Sequence, residues 1–367
     1  MKPFIPHKLP LDSLDYKELI PLVADANSEI SRYDGLLQGI VNPEILLSPL
    51  TNEEAVLSSK IEGTQATVDE VLEHEAGLLK EGQKSKDIQE ILNYRKALFA
   101  SNKHLENYPI SLSFICEIHK ILLSSVRGEK KNPGNFRKDQ NWIGLNNCSI
   151  EQASFVPPDP LILQTELDNW STYLKSDDID IIIQTAVMHA QFEILHPFED
   201  GNGRIGRILI PLFLYQKKKL SSPVFYLSSY LEANREEYYF HLNNISKSND
   251  WDSWIKFFLK AVTIQSKQNS EKVKKIMNLY DELKNKMPSI TKSHYSMQII
   301  DAIFDVPIFD LSHLIGKVGM VRKTANSLIA KLKDENILTE VRKASGNKSA
   351  VLAFRDLLNI AEGKDVL

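Results

Sequence analysis

Twelve consecutive residues, His196-Pro197-Phe198-Glu199-Asp200-Gly201-Asn202-Gly203-Arg204-Ile205-Gly206-Arg207, combine an imidazole, a carboxylate, a glycine-rich turn and two guanidinium groups. An imidazole titrates near neutral pH, so His196 is a candidate general base that takes a proton from an attacking hydroxyl. Asp200 offers a hard oxygen ligand, and Mg²⁺ on a triphosphate uses one or two such carboxylates. Gly201 and Gly203 reach unusual φ values cheaply and let successive N–H groups curve around an anion. Arg204 and Arg207 stand three apart, on one face of a helix, and a guanidinium fork matches phosphate oxygens. Each part suits a different piece of a nucleoside triphosphate. A rival set is His189, Glu193 and His196, whose spacing is that of a metal site on one helix face. Pro197 follows directly and no further ligand cluster is evident, so His189 and Glu193 read better as satisfied core groups.

These residues need elements to hold them. Residues 181–195 are apolar on nearly every face, which predicts a helix inside a core. Pro197 ends it and leaves His196 at the helix exit. A second helix is expected from about Arg204, its N-terminus presenting free N–H groups to a phosphate, with Phe198 anchored under the loop. Pro211 falls inside that helix and should kink it.

Far upstream, Thr51-Asn52-Glu53-Glu54 reads as a capping box that starts a helix, and Gly63 as its stop. Ser58 and Glu62 then share one face. An acid in the last turn opposes the helix dipole, so Glu62 calls for a cationic partner elsewhere. A second capping box, Thr67-Val68-Asp69-Glu70, starts the next helix. Residues 133–158, bounded by Gly and Pro with short apolar ends, read as a β-hairpin whose edge could pair with an extended peptide.

The whole chain has 367 residues, too many for one ordinary domain, with 43% hydrophobic and 25% charged residues and a net charge of −4. That balance gives no general pull toward nucleic acid or an anionic membrane. No apolar run reaches membrane-spanning length, the opening residues lack a signal-peptide core, and Cys116 and Cys148 make no disulfide framework. A cytoplasmic location is the expectation. The coarse reading is mainly α. Helices over 1–100 carry Glu62; a catalytic core spans 101–266, with Trp251, Trp254, Phe257 and Phe258 in its interior; a lysine-rich connecting helix covers 267–287; and 288–367 form a small α+β unit.

The loop matches, position by position, the signature of the Fic family, His-Pro-Phe-x-Asp/Glu-Gly-Asn-Gly-Arg-x-x-Arg, and the chain resembles a Fic-domain protein adenylyltransferase. The resemblance implies a Fic-type helical bundle with a hairpin flap, and transfer of AMP from ATP, with Mg²⁺, to Ser, Thr or Tyr hydroxyls of target proteins, self-modification included. His196 would be the base and Asp200 the Mg²⁺ ligand. Asn202 and the Gly201 and Gly203 backbone would hold the α-phosphate region, and Arg204 and Arg207 the outer phosphates. Glycine at 203, where phosphate-transferring relatives carry lysine, favours AMP transfer. Residues 58–63 resemble the family's inhibitory motif, so Ser58 and Glu62 would form a brake, with Glu62 paired to Arg207 in place of the γ-phosphate. Asn141, Trp142, Ile143 and Gly144 would be the target-docking edge of the flap. Residues 226–239 resemble the helix that walls the adenine pocket, with Asn234 and Tyr239 as its candidates. Similar proteins often form homodimers. Residues 311–354 resemble a winged helix, with strands flanking Gly346 and with Lys317, Arg322, Lys323, Lys331 and Lys333 as a surface for DNA. Two alternatives follow: hydrolytic removal of AMP using Glu62, or regulation through DNA binding.

Overall fold

The computed structural model describes residues 2–78, 84–126, 128–144, 148–344 and 349–363. The helices run in chain order as α1 (Tyr16–Leu37), α2 (Pro43–Leu46), α3 (Ser48–Ile61), α4 (Val68–Glu75), α5 (Ser85–Leu105), α6 (Leu112–Leu122), α7 (Pro160–Lys175) and α8 (Ile181–Leu195). They continue as α9 (Asn202–Gln216), α10 (Ser228–Ala233), α11 (Arg235–Ser248), α12 (Trp251–Thr291), α13 (Ser296–Asp305), α14 (Leu311–Val318), α15 (Arg322–Asp334) and α16 (Arg355–Glu362). Three short strands, β1 (Ile308–Asp310), β2 (Thr339–Arg342) and β3 (Val351–Ala353), form one antiparallel sheet in the order β1-β3-β2.

Two compact units divide the chain. The first takes residues 1–34, 57–64 and 89–267; the second takes 35–56, 65–88 and 268–367. Residues 1–100, expected as one region, are thus shared between them.

The first unit is built around α8. Asp180 caps that helix by accepting hydrogen bonds from the Ile182 and Ile183 N–H groups. Nearly all its residues are buried, as an all-round apolar sequence requires. Two indoles grip its carbonyls: Trp170 Nε1 donates to Met188 O and Trp254 Nε1 to Ala186 O, each at 2.9 Å. Trp251, Trp254, Phe257 and Phe258 are all core residues. Pro211 sits inside α9, which nevertheless runs on as one helix to Gln216. It begins at Asn202, two residues before the expected start.

The capping-box start at Thr51 is corrected: α3 already begins at Ser48, and Thr51 lies within it. Its stop is at Gly63, whose φ of +102° suits glycine. The Thr67–Glu70 box is present with both reciprocal bonds.

In the second unit, α13, β1, α14, α15 and the β2–β3 pair follow one another, with α16 after them. Sequence reading found the segments of β2 and β3 but missed β1, whose three residues are too few to show a period. Gly346 lies outside the described residues. Three of the cations expected on one surface are engaged: Lys317 pairs with Asp305, Lys333 with Glu340, and Lys331 donates to Thr291 O. Arg322 and Lys323 are exposed. The expected connecting helix is the latter part of α12, which passes Pro288 and ends at Thr291.

Candidate active site

The site assembles where α8 ends and α9 begins. His196 is the C-cap of α8, in the left-handed region at φ 45°, ψ 57°. Such a conformation is costly for a side chain with a Cβ and persists only where surroundings enforce it. Arg137 supplies that enforcement. Its Nε donates to His196 O (2.9 Å), Nη2 to Pro158 O (2.6 Å) and Leu195 O (3.4 Å), and its backbone N–H to Pro197 O (2.8 Å). A buried cation on carbonyls at a helix C-terminus also complements the dipole. Burial still lowers the Arg137 pKa, to about 10.

Phe198 is fully buried and stacks on His119 at 3.7 Å with 7° between planes. The Gly134 N–H donates to His119 Nδ1 (2.8 Å), so the ring proton sits on Nε2, which donates to Asp200 O (2.9 Å). Burial pushes the His119 pKa down to about 4 and keeps it in that neutral form. Sequence reading missed His119 and Arg137: both act on backbone atoms, and nothing in their spacing announces that.

Asn202 closes the loop. Its Nδ2 donates to Phe198 O (2.9 Å) and its Oδ1 accepts from Phe198 N (2.8 Å). Expected as a phosphate ligand, its amide is engaged in shaping the loop. Gly201 is the N-cap of α9 at φ +80°.

The arginines part company. Arg204 is 4% exposed and pairs with Glu90 Oε2 at 3.1 Å; its link to Asp200 is a longer 3.5 Å. It braces α9 against α5 rather than pointing at solvent. Arg207, 2% exposed, faces Ser58 and Glu62: Nε donates to Ser58 Oγ (2.8 Å), and Nη2 to Ser58 O (2.9 Å) and Glu62 Oε1 (2.6 Å). Burial would raise the Glu62 pKa, but the Arg207 guanidinium overrides it and the net shift is downward. Burial likewise opposes the charge on Arg207, and Glu62 outweighs it, raising its pKa. The cationic partner that Glu62 required is Arg207.

Glu62 also lies against the first turn of α9. A Cβ added at Gly203 would stand 2.3 Å from Glu62 Oε1 and 3.0 Å from Arg207 Nη1. Glycine there admits a carboxylate to a helix N-terminus, where the dipole favours an anion. A Gly203→Ala exchange in a helix ordinarily stabilises by ~0.5–1 kcal/mol. Here it should destabilise the intact protein and recover that gain once Glu62→Gly removes the clash. Denaturant unfolding of both singles and the double checks this; additive effects would sink it.

His196 Nδ1 lies 3.4 Å from Glu193 O, and no hydrogen bond among the described residues engages Nε2. Burial pushes its pKa down to about 4, so the ring is a neutral acceptor at physiological pH. Asp200 is 39% exposed, and a Cβ on Gly128 would come within 2.7 Å of its Oδ2. A partly exposed carboxylate beside a helix N-terminus fits Mg²⁺ carried on a triphosphate. The rival metal set fails on geometry: His189 Nε2 meets Tyr238 OH at 2.9 Å and Nδ1 meets Gly206 O at 3.1 Å, which engages both nitrogens.

A cavity of about 690 Å³ opens beside Glu193 and Ile194 at the end of α8, lined on one side by Ile143, Gly144 and Phe155 and on the other by Tyr239, Leu242 and Ser246 of α11. Tyr239, one of the two adenine-pocket candidates, lines this cavity. The other, Asn234, lies between α10 and α11 and donates its Nδ2 to Tyr230 O (2.8 Å). Leu242 and Ser246 were missed, although spacings of three and seven from Tyr239 put them on its face.

The flap contains one antiparallel bridge, Ile143 to Phe155, among the described residues; 145–147 lie outside them. The Ile143 N–H donates to Phe155 O (2.9 Å), and its carbonyl accepts from Ser154 N and Phe155 N. Its backbone is thus taken inward, and alternation leaves Trp142 and Gly144 for the outer edge. Asn141 Nδ2 donates to Phe198 O (3.1 Å) and ties the flap to the loop.

A helical bundle with this loop and an arginine held by a carboxylate just past the end of a separate helix defines the class. Residues 20–102 match the family described as Fic/DOC family N-terminal, and residues 109–214 the Fic/DOC family itself. Together they take in just over half of the chain, which belongs to the Fic/DOC family. A probable protein adenylyltransferase of Aquifex aeolicus is 28% identical over 195 residues, 53% of this chain and 57% of that protein. The protein adenylyltransferase Fic of Drosophila mojavensis is 24% identical over 181 residues, 48% of this chain and 32% of that one. The matches therefore span little more than half of the first relative and a third of the second. Among solved structures, a Fic family protein from Desulfovibrio desulfuricans superposes with a TM-score of 0.61 at 18% identity, over 95% of this chain and 98% of that one. Fic-1 of C. elegans gives 0.55 at 20%, over 71% and 74%. These two show a shared fold. No helix among the described residues is long and apolar enough to cross a membrane.

Proposed function

We propose that the protein is a self-inhibited adenylyltransferase that moves AMP from ATP to a hydroxyl of a target protein. The observation that carries this reading is Glu62 held at 2.6 Å by Arg207 while abutting Gly203 at the start of α9. An anion already fills the place that a nucleotide phosphate needs.

With Glu62 displaced, phosphate oxygens take its position at Arg207 and the α9 N–H groups, and the nucleoside enters the cavity between flap and α11. Mg²⁺, with Asp200 as protein ligand, would neutralise triphosphate charge. The target segment pairs along the flap through the Trp142 and Gly144 backbone. His196 Nε2 takes the hydroxyl proton. The oxygen attacks the α-phosphorus in line, a new P–O bond forms, and the bond to the bridging oxygen breaks as pyrophosphate leaves. The free N–H groups of the first α9 turn stabilise charge on the α-phosphate oxygens. Arg204, paired with Glu90, keeps the helix start rigid.

The test is incubation of purified protein, Glu62→Gly and Glu62→Gly/His196→Ala with Mg²⁺ and α-labelled ATP. Label on protein with the single variant and none with the double supports the reading. Label that persists in the double variant overturns it. Loss of AMP from a premodified target, dependent on Glu62, would favour AMP removal by the same site. For the last unit, the order of α13 to β3 supports a winged helix; with Lys317, Lys331 and Lys333 engaged, DNA is the weaker reading of its surface.

A further inference from the structure

Residues 4–9 run as a strap, neither helix nor strand, and have no part in the mechanism above. Leu9 exchanges hydrogen bonds with the Asn169 amide of α7, its N–H donating to Oδ1 (3.0 Å) and its carbonyl accepting from Nδ2 (2.9 Å). Lys8 pairs with Glu166 of the same helix at 2.7 Å. The His7 carbonyl accepts from Gln191 Nε2 (2.9 Å), and Trp251 Nε1 of α12 donates to His7 Nδ1 (3.3 Å). Gln191 is buried in α8, five residues before His196. Ordering a segment costs conformational entropy at every residue, and these anchors on three helices offset it.

Beyond these anchors the strap reaches the flap. The Phe4 N–H donates to Val156 O (3.0 Å), and its ring meets the Phe155 ring at 5.8 Å with 55° between planes. Phe155 is the residue that bridges Ile143. Its own N–H and carbonyl face Ile143; the next carbonyl along the strand turns to the other side, where Phe4 takes it. The order across the ribbon is therefore strap, residues 155–156, residues 141–144. A two-stranded hairpin alone is marginal in water, and a third chain steadies it. The strap covers one edge of this ribbon, which leaves Trp142 and Gly144 on the open one. We propose that Phe4 is a positioning residue for target docking: through Phe155 it fixes the open edge of the flap relative to α8, the helix that ends at His196. The target hydroxyl has to come within hydrogen-bond reach of His196, so an edge that wanders loses productive complexes.

The proposal rests on the flap as the target's docking edge, and the experiment separates the two. Amide hydrogen exchange on the full chain reads the Ile143 N–H, which donates to Phe155 O. Phe4→Ala should speed exchange at Ile143 by roughly three- to tenfold, the worth of one aromatic contact, and leave the α8 amides unchanged. Phe4→Leu, which keeps an apolar body on Phe155, should restore most of the protection. Unchanged exchange at Ile143 overturns the proposal, as does equal acceleration in α8, the mark of general loosening. Transfer is then read in the Glu62→Gly background with Mg²⁺, α-labelled ATP and dephosphorylated casein, an unfolded chain rich in hydroxyls that suits an edge pairing through backbone. Adding Phe4→Ala should raise the KM for casein by roughly threefold or more, with kcat and the ATP dissociation constant nearly constant. A loss carried by ATP affinity alone would place Phe4 on the nucleotide side and overturn the assignment. No label on casein with Glu62→Gly overturns docking along the flap itself, whatever the exchange at Ile143.

Discussion

Glu62→Gly should raise AMP transfer by roughly one to two orders of magnitude, the range of a ~1–3 kcal/mol coupling between two states of a site. Three features set the size of the effect. Arg207 loses one of three hydrogen bonds but keeps both to Ser58, so the guanidinium stays in place with one Nη2 N–H released for a phosphate oxygen. The space beside Gly203 opens at the α9 N-terminus. The negative charge that would repel a triphosphate disappears. The same change should cost stability. Arg207 is 2% and Glu62 33% exposed, between the ~0–1 kcal/mol of surface pairs and the ~3–5 kcal/mol of broken buried ones. We expect a loss near the middle of that span. A variant that is less stable, tighter for ATP and faster in labelling meets the prediction. One with unchanged ATP affinity and labelling would show that Glu62 is no brake.

His196→Ala in the Glu62→Gly background should reduce transfer by roughly 10³-fold, within the ~10²–10⁴ typical of a general base. ATP affinity should stay nearly constant, because the proposed site holds the phosphates through Arg207 and backbone N–H groups rather than through the imidazole. The pH profile gives a second check. Burial and the Arg137 charge push His196 down, and its pKa in the unliganded site is about 4. The neutral base is therefore lost only as pH falls through that value, not through the ordinary value of about 6.5. Rates with Glu62→Gly should hold level from about pH 8 to about pH 5.5. A fall centred near neutrality would show an imidazole less enclosed than this one. A large rise in the ATP dissociation constant with His196→Ala would place the residue in binding instead.

Much of the site was legible because its chemistry is local in sequence. An apolar run of fifteen residues, a proline and a glycine pair dictate a helix, its exit and a second helix start. The structure has α8 ending at Leu195, His196 at its C-cap and Gly201 opening α9. Gly63 as a stop and the Thr67 box are equally local. The structure departs from the plain reading where another contact competes with a local signal. Thr51 carries capping chemistry, but α3 already has a start at Ser48. The Asn234 amide N–H goes to the carbonyl of Tyr230, four residues back. Arg204 and Arg207 look equivalent at a spacing of three, yet one meets Glu90 and the other Ser58 and Glu62.

The sequence by itself determined which residue types stand at the loop, where its helices begin and end, and that Glu62 needed a cation. Those follow from dihedral preferences and periodicity, which act over a few residues. Only the tertiary structure decided which partner each charged group has. It brought Glu62 across 145 positions to Arg207, set Arg137 on the His196 carbonyl, and left Glu193 Oε1 buried without a hydrogen-bond partner. Hydrogen bonds and ion pairs act over a few ångströms, whatever the separation along the chain. Chain order carries no record of which distant groups the packed helices bring within that reach.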